Sequence, residues 1–225
     1  MRRDPRPRAC DERGAALLIV LLCTTLLMAL GGGLAVLATT EVRIAAHFVA
    51  SLETQYAAEA ALEQVLPEVL TAASVDAVLR GEIRSSRVDG DPAGMRVLPD
   101  ATTLQLAAAA AVERCGRPAC ADGDRAQRSE ERPYGANNPQ WQLYASGSLR
   151  AVLGSEAAPA VYVVVWAGDD PLEVDGDPLT DGSAAGAGTL MLRARAYGRL
   201  GTRRGVEAVV SRDDGRLRVV AWRQL

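Results

Sequence analysis

Three groups of residues in this chain have side chains that can do chemistry. The densest is GDDPLEVDGDPLTDG, which gathers Asp169, Asp170, Glu173, Asp175, Asp177 and Asp181 between two apolar runs. Carboxylates at alternate positions around Gly are what a hard, oxygen-seeking cation such as Ca²⁺ requires, and Asp175, Asp177 and Asp181 are the candidate ligands. The loop lacks the EF-hand pattern and its terminal Glu, and Asp-Gly and Asp-Pro are ordinary turn formers, so a solvated acidic loop is the preferred reading. The second group is Cys115 and Cys120, in CGRPAC, where Gly and Pro can turn the chain. Such a pair forms either a small disulfide or half of a metal site, and no second pair and no suitable histidine completes the metal site. The third is His47, the only histidine, a packing or surface residue unless a site is built around it. No nucleophile elbow, phosphate loop or metal signature accompanies it, so the sequence predicts a chain that is not an enzyme and needs no cofactor beyond that Ca²⁺ candidate.

The elements that would carry these residues follow from the patterning. Between Arg13 and Glu41 runs AALLIVLLCTTLLMALGGGLAVLATT, with no charged residue. About 20 apolar residues suffice to cross a hydrocarbon core of roughly 30 Å, so a membrane span in contact with lipid is expected. Ahead of it Arg2, Arg3, Arg6, Arg8 and Arg13 face three acids, and an arginine excess keeps that flank cytoplasmic. A secretory signal peptide competes, with AVLATTEVR as a poor cleavage site, but its apolar region would be shorter.

After the span, Glu41 to Val65 contains no Gly or Pro. Val49, Leu52, Tyr56, Ala60 and Glu63 share a stripe at helical spacing, with Ala45, Phe48 and Leu52 on its upper half. One helix from about Ala15 to Leu66 is expected, roughly 75 Å long, half of it projecting beyond the bilayer with its apolar stripe covered by downstream chain. Pro67 is expected to end or kink it, with a further helical piece in LPEVLTAASVDAVLR.

From Gly81 to about Pro139 the sequence is irregular apart from LQLAAAAAVERC, a candidate short helix. Then WQLYASGSL, AVYVVVWAG, TLMLRARAYG, GVEAVVSR and RLRVVAW read as strands. RLGTRR and the Asp-Gly pair of SRDDGRLR supply hairpin turns. The fold class is therefore α+β: a long N-terminal helix, membrane-spanning in its first half, packed on a C-terminal antiparallel sheet. The net charge of −3 and pI of about 5.3 argue against a nucleic-acid partner. Every basic side chain is Arg, which reads as genome composition rather than function.

Arg13-Gly14-Ala15-Ala16-Leu17-Leu18-Ile19, the apolar run behind it, and Gln55-Tyr56-Ala57-Ala58-Glu59-Ala60-Ala61-Leu62 together resemble the type IV pilin superfamily, and within it PilX-type minor pilins. The resemblance covers about the first third of the chain. It implies a leader over residues 1–14, cut by a prepilin peptidase between Gly14 and Ala15 with N-methylation of the new terminus. It further implies a transmembrane half-helix at 15–40, an amphipathic half at 41–73 and a periplasmic α+β domain at 74–225. The implied partners are other major and minor pilins and the inner-membrane assembly platform; the implied destination is the inner membrane and then the pilus.

With the leader gone and Cys23 in the membrane, Cys115 and Cys120 would pair as a disulfide in the periplasm. Ile19 stands where major pilins of the family carry Glu, a group thought there to meet the neighbouring subunit's amine. Its absence fits a subunit at the filament tip or one that starts assembly, although family members also vary at this position. Gly31, Gly32 and Gly33 resemble the segment that loses helicity in assembled pilins, or else permit close helix packing. A type II secretion tip pseudopilin, and a membrane-tethered binding or adhesive protein, are the alternatives.

Overall fold

The computed structural model describes residues 13–120, 134–173, 176–182, 188–213 and 216–225. Residues 1–12, most of the expected leader, and Asp175 lie outside them. The chain divides into two compact units, Met1–Ala46 and His47–Leu225.

The first unit is helical throughout its described part. Helix α1, Arg13–Thr71, is continuous for 59 residues, and its early apolar side chains are exposed, Leu17 at 73% and Leu34 at 67%. Within this stretch the four threonine hydroxyls turn back on the helix: Thr24 donates to the Leu21 carbonyl, Thr25 to that of Leu22, and Thr39 and Thr40 to that of Val36. The threonine hydroxyls there are thus satisfied inside one segment, as hydrocarbon requires of a spanning helix. The helix is long and apolar enough to cross a membrane.

In the second unit α1 lies on a five-stranded antiparallel sheet of strands β3 to β7, in sequence order. The strands are β3 Gln142–Ser148, β4 Tyr162–Asp169, β5 Thr189–Tyr197, β6 Arg203–Asp213 and β7 Arg216–Gln224. All five sequence-predicted strands are present, in the expected order and class. Ahead of them come α2 (Val75–Leu79), a two-stranded hairpin of β1 (Met95–Val97) and β2 (Thr103–Gln105), and α3 (Leu106–Cys115). The hairpin lies inside the stretch read as irregular. Helix α4, Leu149–Leu153, takes the last residue of the expected run WQLYASGSL and lies between it and the next strand; the Ser148 hydroxyl accepts the Ala151 N–H and caps it.

Two sequence expectations are corrected. Of the two outcomes expected at Pro67, ending the helix is not what occurs: α1 runs one more turn, with Val65 and Val69 on either side buried against the sheet and Thr71 Oγ1 donating to the Pro67 carbonyl at 3.0 Å. The apolar stripe is also not the covered face. Residues Ala50, Thr54, Ala57, Ala58, Ala61, Leu62, Val65 and Val69 are buried, whereas Phe48 (63% exposed), Leu52 and Tyr56 (65%) face outward. The small side chains let helix and sheet approach closely, and Gly198 matches them across the contact. A Cβ there would overlap Thr54 Oγ1 and come within 2.6 Å of Thr202 Oγ1, two hydroxyls hydrogen-bonded to each other at 2.7 Å.

The sheet buries both faces at its centre. Val163, Val165, Leu190, Leu192, Val206 and Val210 meet α1, while Tyr162, Val164, Trp166 and Met191 meet the β1–β2 hairpin and α3 through Leu98, Leu104 and Leu106. That is why β4 reads as an unbroken apolar run rather than an alternating one.

Candidate functional site

The residues singled out on α1 occupy distinct settings. Gly14 and Ala15 are in its first turn, and Ile19 is 60% exposed. Gly31, Gly32 and Gly33 continue the helix without a break, and a Cβ on any of them would meet nothing within 4 Å. Glu59 accepts from Gln55 Nε2 at 2.8 Å and from Gln224 Nε2 at 3.5 Å, so it ties the helix flank to the end of β7. His47 and Cys23 are exposed.

Cys115 and Cys120 form a disulfide, as expected, closing the end of α3. Asp177 accepts the Leu179 N–H, and Asp181 accepts that of Gly188 at 2.5 Å. The Asp177 bond caps a turn, and among the described residues no group of three or more His, Cys, Asp or Glu side chains could hold a metal ion.

A constellation that no motif announced lies on the face of the sheet away from α1. Arg193 of β5 stands directly opposite Glu207 of β6, which stands opposite Arg223 of β7. Arg193 donates through Nε to Glu207 Oε2 at 2.9 Å and through Nη1 to Glu113 Oε2 of α3 at 2.6 Å. Arg195 pairs with Glu113, and Arg223 Nε approaches Glu207 Oε1 at 2.8 Å. The carboxylates are deeply buried, Glu113 at 4% and Glu207 at 5% side-chain exposure, while Arg223 is 64% exposed. The Arg193 guanidinium also lies 4.1 Å from the centre of the Trp141 ring. Two buried anions are therefore held by three cations, the condition under which buried carboxylates are tolerated.

This rung floors a cavity of about 310 Å³ rimmed by Tyr134, Leu172, Met191 and Val209. A second groove of about 470 Å³ adjoins it along β7, between Leu172, Val209, Arg218 and Val220. No side chain in either is arranged as nucleophile with base. The arrangement has room for a ligand or a strand.

Burial pushes the Tyr144 phenol up to about 12, with Glu68 adding to the shift, and also raises Tyr162 and Tyr197. These are core tyrosines rather than titrating site groups.

Compared with protein-family models, curated proteins and solved structures, the chain matches none.

Proposed function

We propose that this chain is a minor-pilin-like structural subunit that takes part in type IV pilus assembly, at the filament tip or in its initiation. One observation carries the reading: a single helix serves two surroundings. Its first part is apolar all round and exposed, with its hydroxyls satisfied internally, and its later part is anchored by alanines to a five-stranded sheet. After removal of the leader at Gly14, residues 15–40 hold the subunit in the inner membrane with the sheet domain in the periplasm. The assembly platform then lifts it into the fibre, where helix packs on helix of the major and minor pilins. Phe48, Leu52 and Tyr56, left outside the domain core, extend the apolar surface available to those neighbours. Ile19 in place of the family's acidic residue suits a subunit with nothing ahead of it.

The groove beside the charged rung favours a second reading, a membrane-tethered binding or adhesive protein that uses α1 only as an anchor. A type II secretion tip pseudopilin shares every feature of the first reading and is separated from it by the subunits it co-purifies with.

N-terminal sequencing of the chain expressed with and without a prepilin peptidase tests the proposal. A new terminus at Ala15 that appears only with the peptidase is expected. An uncut chain, or a cut beyond the apolar run, removes the pilin reading and leaves the tethered or secreted domain.

A further inference from the structure

The two edges of the sheet are treated differently. The β3 edge is closed by the chain itself: Ser85 donates its N–H to the Tyr144 carbonyl at 2.9 Å, Asp89 donates to Ser146 at 2.8 Å, and Val88 bridges Ser146 in parallel. The β7 edge has no such cover, since among the described residues only β6 pairs with it. Nine residues of strand thus present unpaired backbone groups, which soluble domains ordinarily keep short or shield.

The side chains along this edge are selective. From Arg216 to Leu225 there are three arginines and no acid. On the face away from α1, Arg218 lies opposite Ser211, Ala221 opposite Val209 and Arg223 opposite Glu207, with Val220 at the bulge between them. Arg218 is exposed with no ion pair among the described residues, and Arg223 engages Glu207 through Nε with its side chain 64% exposed. Val220 (59% exposed) and Leu172 (72%) form the apolar part of the adjoining groove. Two cations therefore flank an apolar patch along a strand edge that no other described residue pairs with. Among the described residues that line the groove and the cavity beside it, the counter-charges are Glu113 and Glu207, already paired, and Asp170, whose Oδ1 accepts the Leu172 N–H.

We propose that the β7 edge is a docking site for an extended segment of a partner protein, added as a sixth strand and carrying acid, apolar and acid at alternate positions. Backbone hydrogen bonds to the edge supply the affinity, and the side chains that fall on the groove face supply the selectivity. The bulge makes Arg218 and Arg223 two rungs apart, so the acids belong at positions i and i+4 of the incoming strand, about 13 Å from one another, with an apolar residue at i+2 over Val220. A second copy of β7 is a poorer occupant, because it brings arginines and no acid to an arginine-bearing edge. The inference concerns the sheet domain alone and stands whether or not the helix is processed as a pilin.

The test uses the full chain in detergent micelles and a capped heptapeptide, Thr-Glu-Thr-Val-Thr-Glu-Thr, with a version carrying Lys for both Glu. Calorimetry measures binding, and a fluorescence change that is lost in Trp222→Phe, a substitution on β7 itself, reports where it occurs. Saturable binding of the acidic peptide with a Kd below ~1 mM, and none of the Lys peptide, is expected. Arg218→Glu should weaken it about tenfold, the sum of a lost exposed pair and a new repulsion.

A second variant is independent of charge. Leu225 N–H points to Gly205 of β6, so by alternation the Gln224 N–H points outward, and Gln224→Pro removes an outward donor without touching the ladder. It should weaken binding about fivefold. Equal binding of both peptides, absence of binding, wild-type affinity in Gln224→Pro, or self-association through β7 that excludes the peptide would each overturn the proposal.

Discussion

Replacing Arg193 by Met removes the centre of the charged rung while keeping a long apolar stem in place. Arg193 makes hydrogen bonds to both Glu113 and Glu207 and covers the Trp141 ring, and its own side chain is 16% exposed. Removing one partner of a buried pair ordinarily costs about 3–5 kcal/mol, because the other charge is stranded. Here Arg195 still faces Glu113 and Arg223 still faces Glu207, so neither carboxylate is wholly abandoned. The expected loss is therefore at the lower end, about 3 kcal/mol. Arg223→Met is the internal control: that side chain is 64% exposed, and its removal should cost no more than about 1 kcal/mol. Urea unfolding of the chain in micelles, followed by the fluorescence of the buried Trp141 and Trp166, gives both values. A third variant, with Arg193, Glu113 and Glu207 all changed to Leu, should recover most of the stability lost in Arg193→Met, since an apolar set of similar volume needs no counter-charge. If Arg193→Met costs under 1 kcal/mol, or no more than Arg223→Met, the rung is not the buried unit described here.

Leu62→Ala, on the covered face of α1, should destabilise the domain by about 2–5 kcal/mol, whereas Tyr56→Ala, on the outward face, should stay within about 0.5 kcal/mol in the isolated chain; denaturant titration separates them. Gly198→Ala forces a methyl group into the bonded pair Thr54 and Thr202 and should cost about 1–3 kcal/mol by the same measurement. Changing Cys115 and Cys120 together to Ser opens a loop of sequence separation 5 and should cost about 2 kcal/mol, matched by the wild type under reductant. For Tyr144 the folded pKa, about 12, lies above the ordinary value of 10.0, so its contribution is complete below pH 10 and is lost as pH rises towards 12. Thermal unfolding between pH 9 and 12 should show that decline, and Tyr144→Phe should reduce it.

The fold was legible because its signals are local and strong. An uncharged run of this length, a second stretch without Gly or Pro, and five β-rich runs separated by turn residues leave few alternatives to a long helix on a meander. The charged rung was legible only in half. The turn from Gly198 to Thr202 sets 193 opposite 207, so the Arg193–Glu207 pair follows from hairpin arithmetic once the turn is placed. Arg223 does not follow. The two-residue connection after Asp213 would set Glu207 opposite Trp222; the bulge between Val209 and Val210 shifts the register by one and brings Arg223 there instead. No residue type in RLRVVAW announces that bulge. Glu113 is further out of reach, since its place depends on how α3 packs over the sheet.

The misread stripe on α1 has a cause with a bearing on function. Helical spacing identifies an apolar face but does not say which of two apolar faces a domain will cover. Alanines at 57, 58 and 61 form the second face, weak in hydropathy yet able to bring the helix close to β5 and β6, where Ala194, Ala196 and Ala208 answer them. The bulky face was thereby left outside. Burying a side chain the size of Leu, Phe or Tyr contributes about 1.5–3 kcal/mol, so a domain that needed only its own stability would gain by turning Phe48, Leu52 and Tyr56 inward. A helix that covers its sheet with alanines and with Leu62, Val65 and Val69, yet keeps Phe48, Leu52 and Tyr56 outside, has those three available for another helix. Under the proposed function, these exposed side chains are what favours assembly over a simple tether.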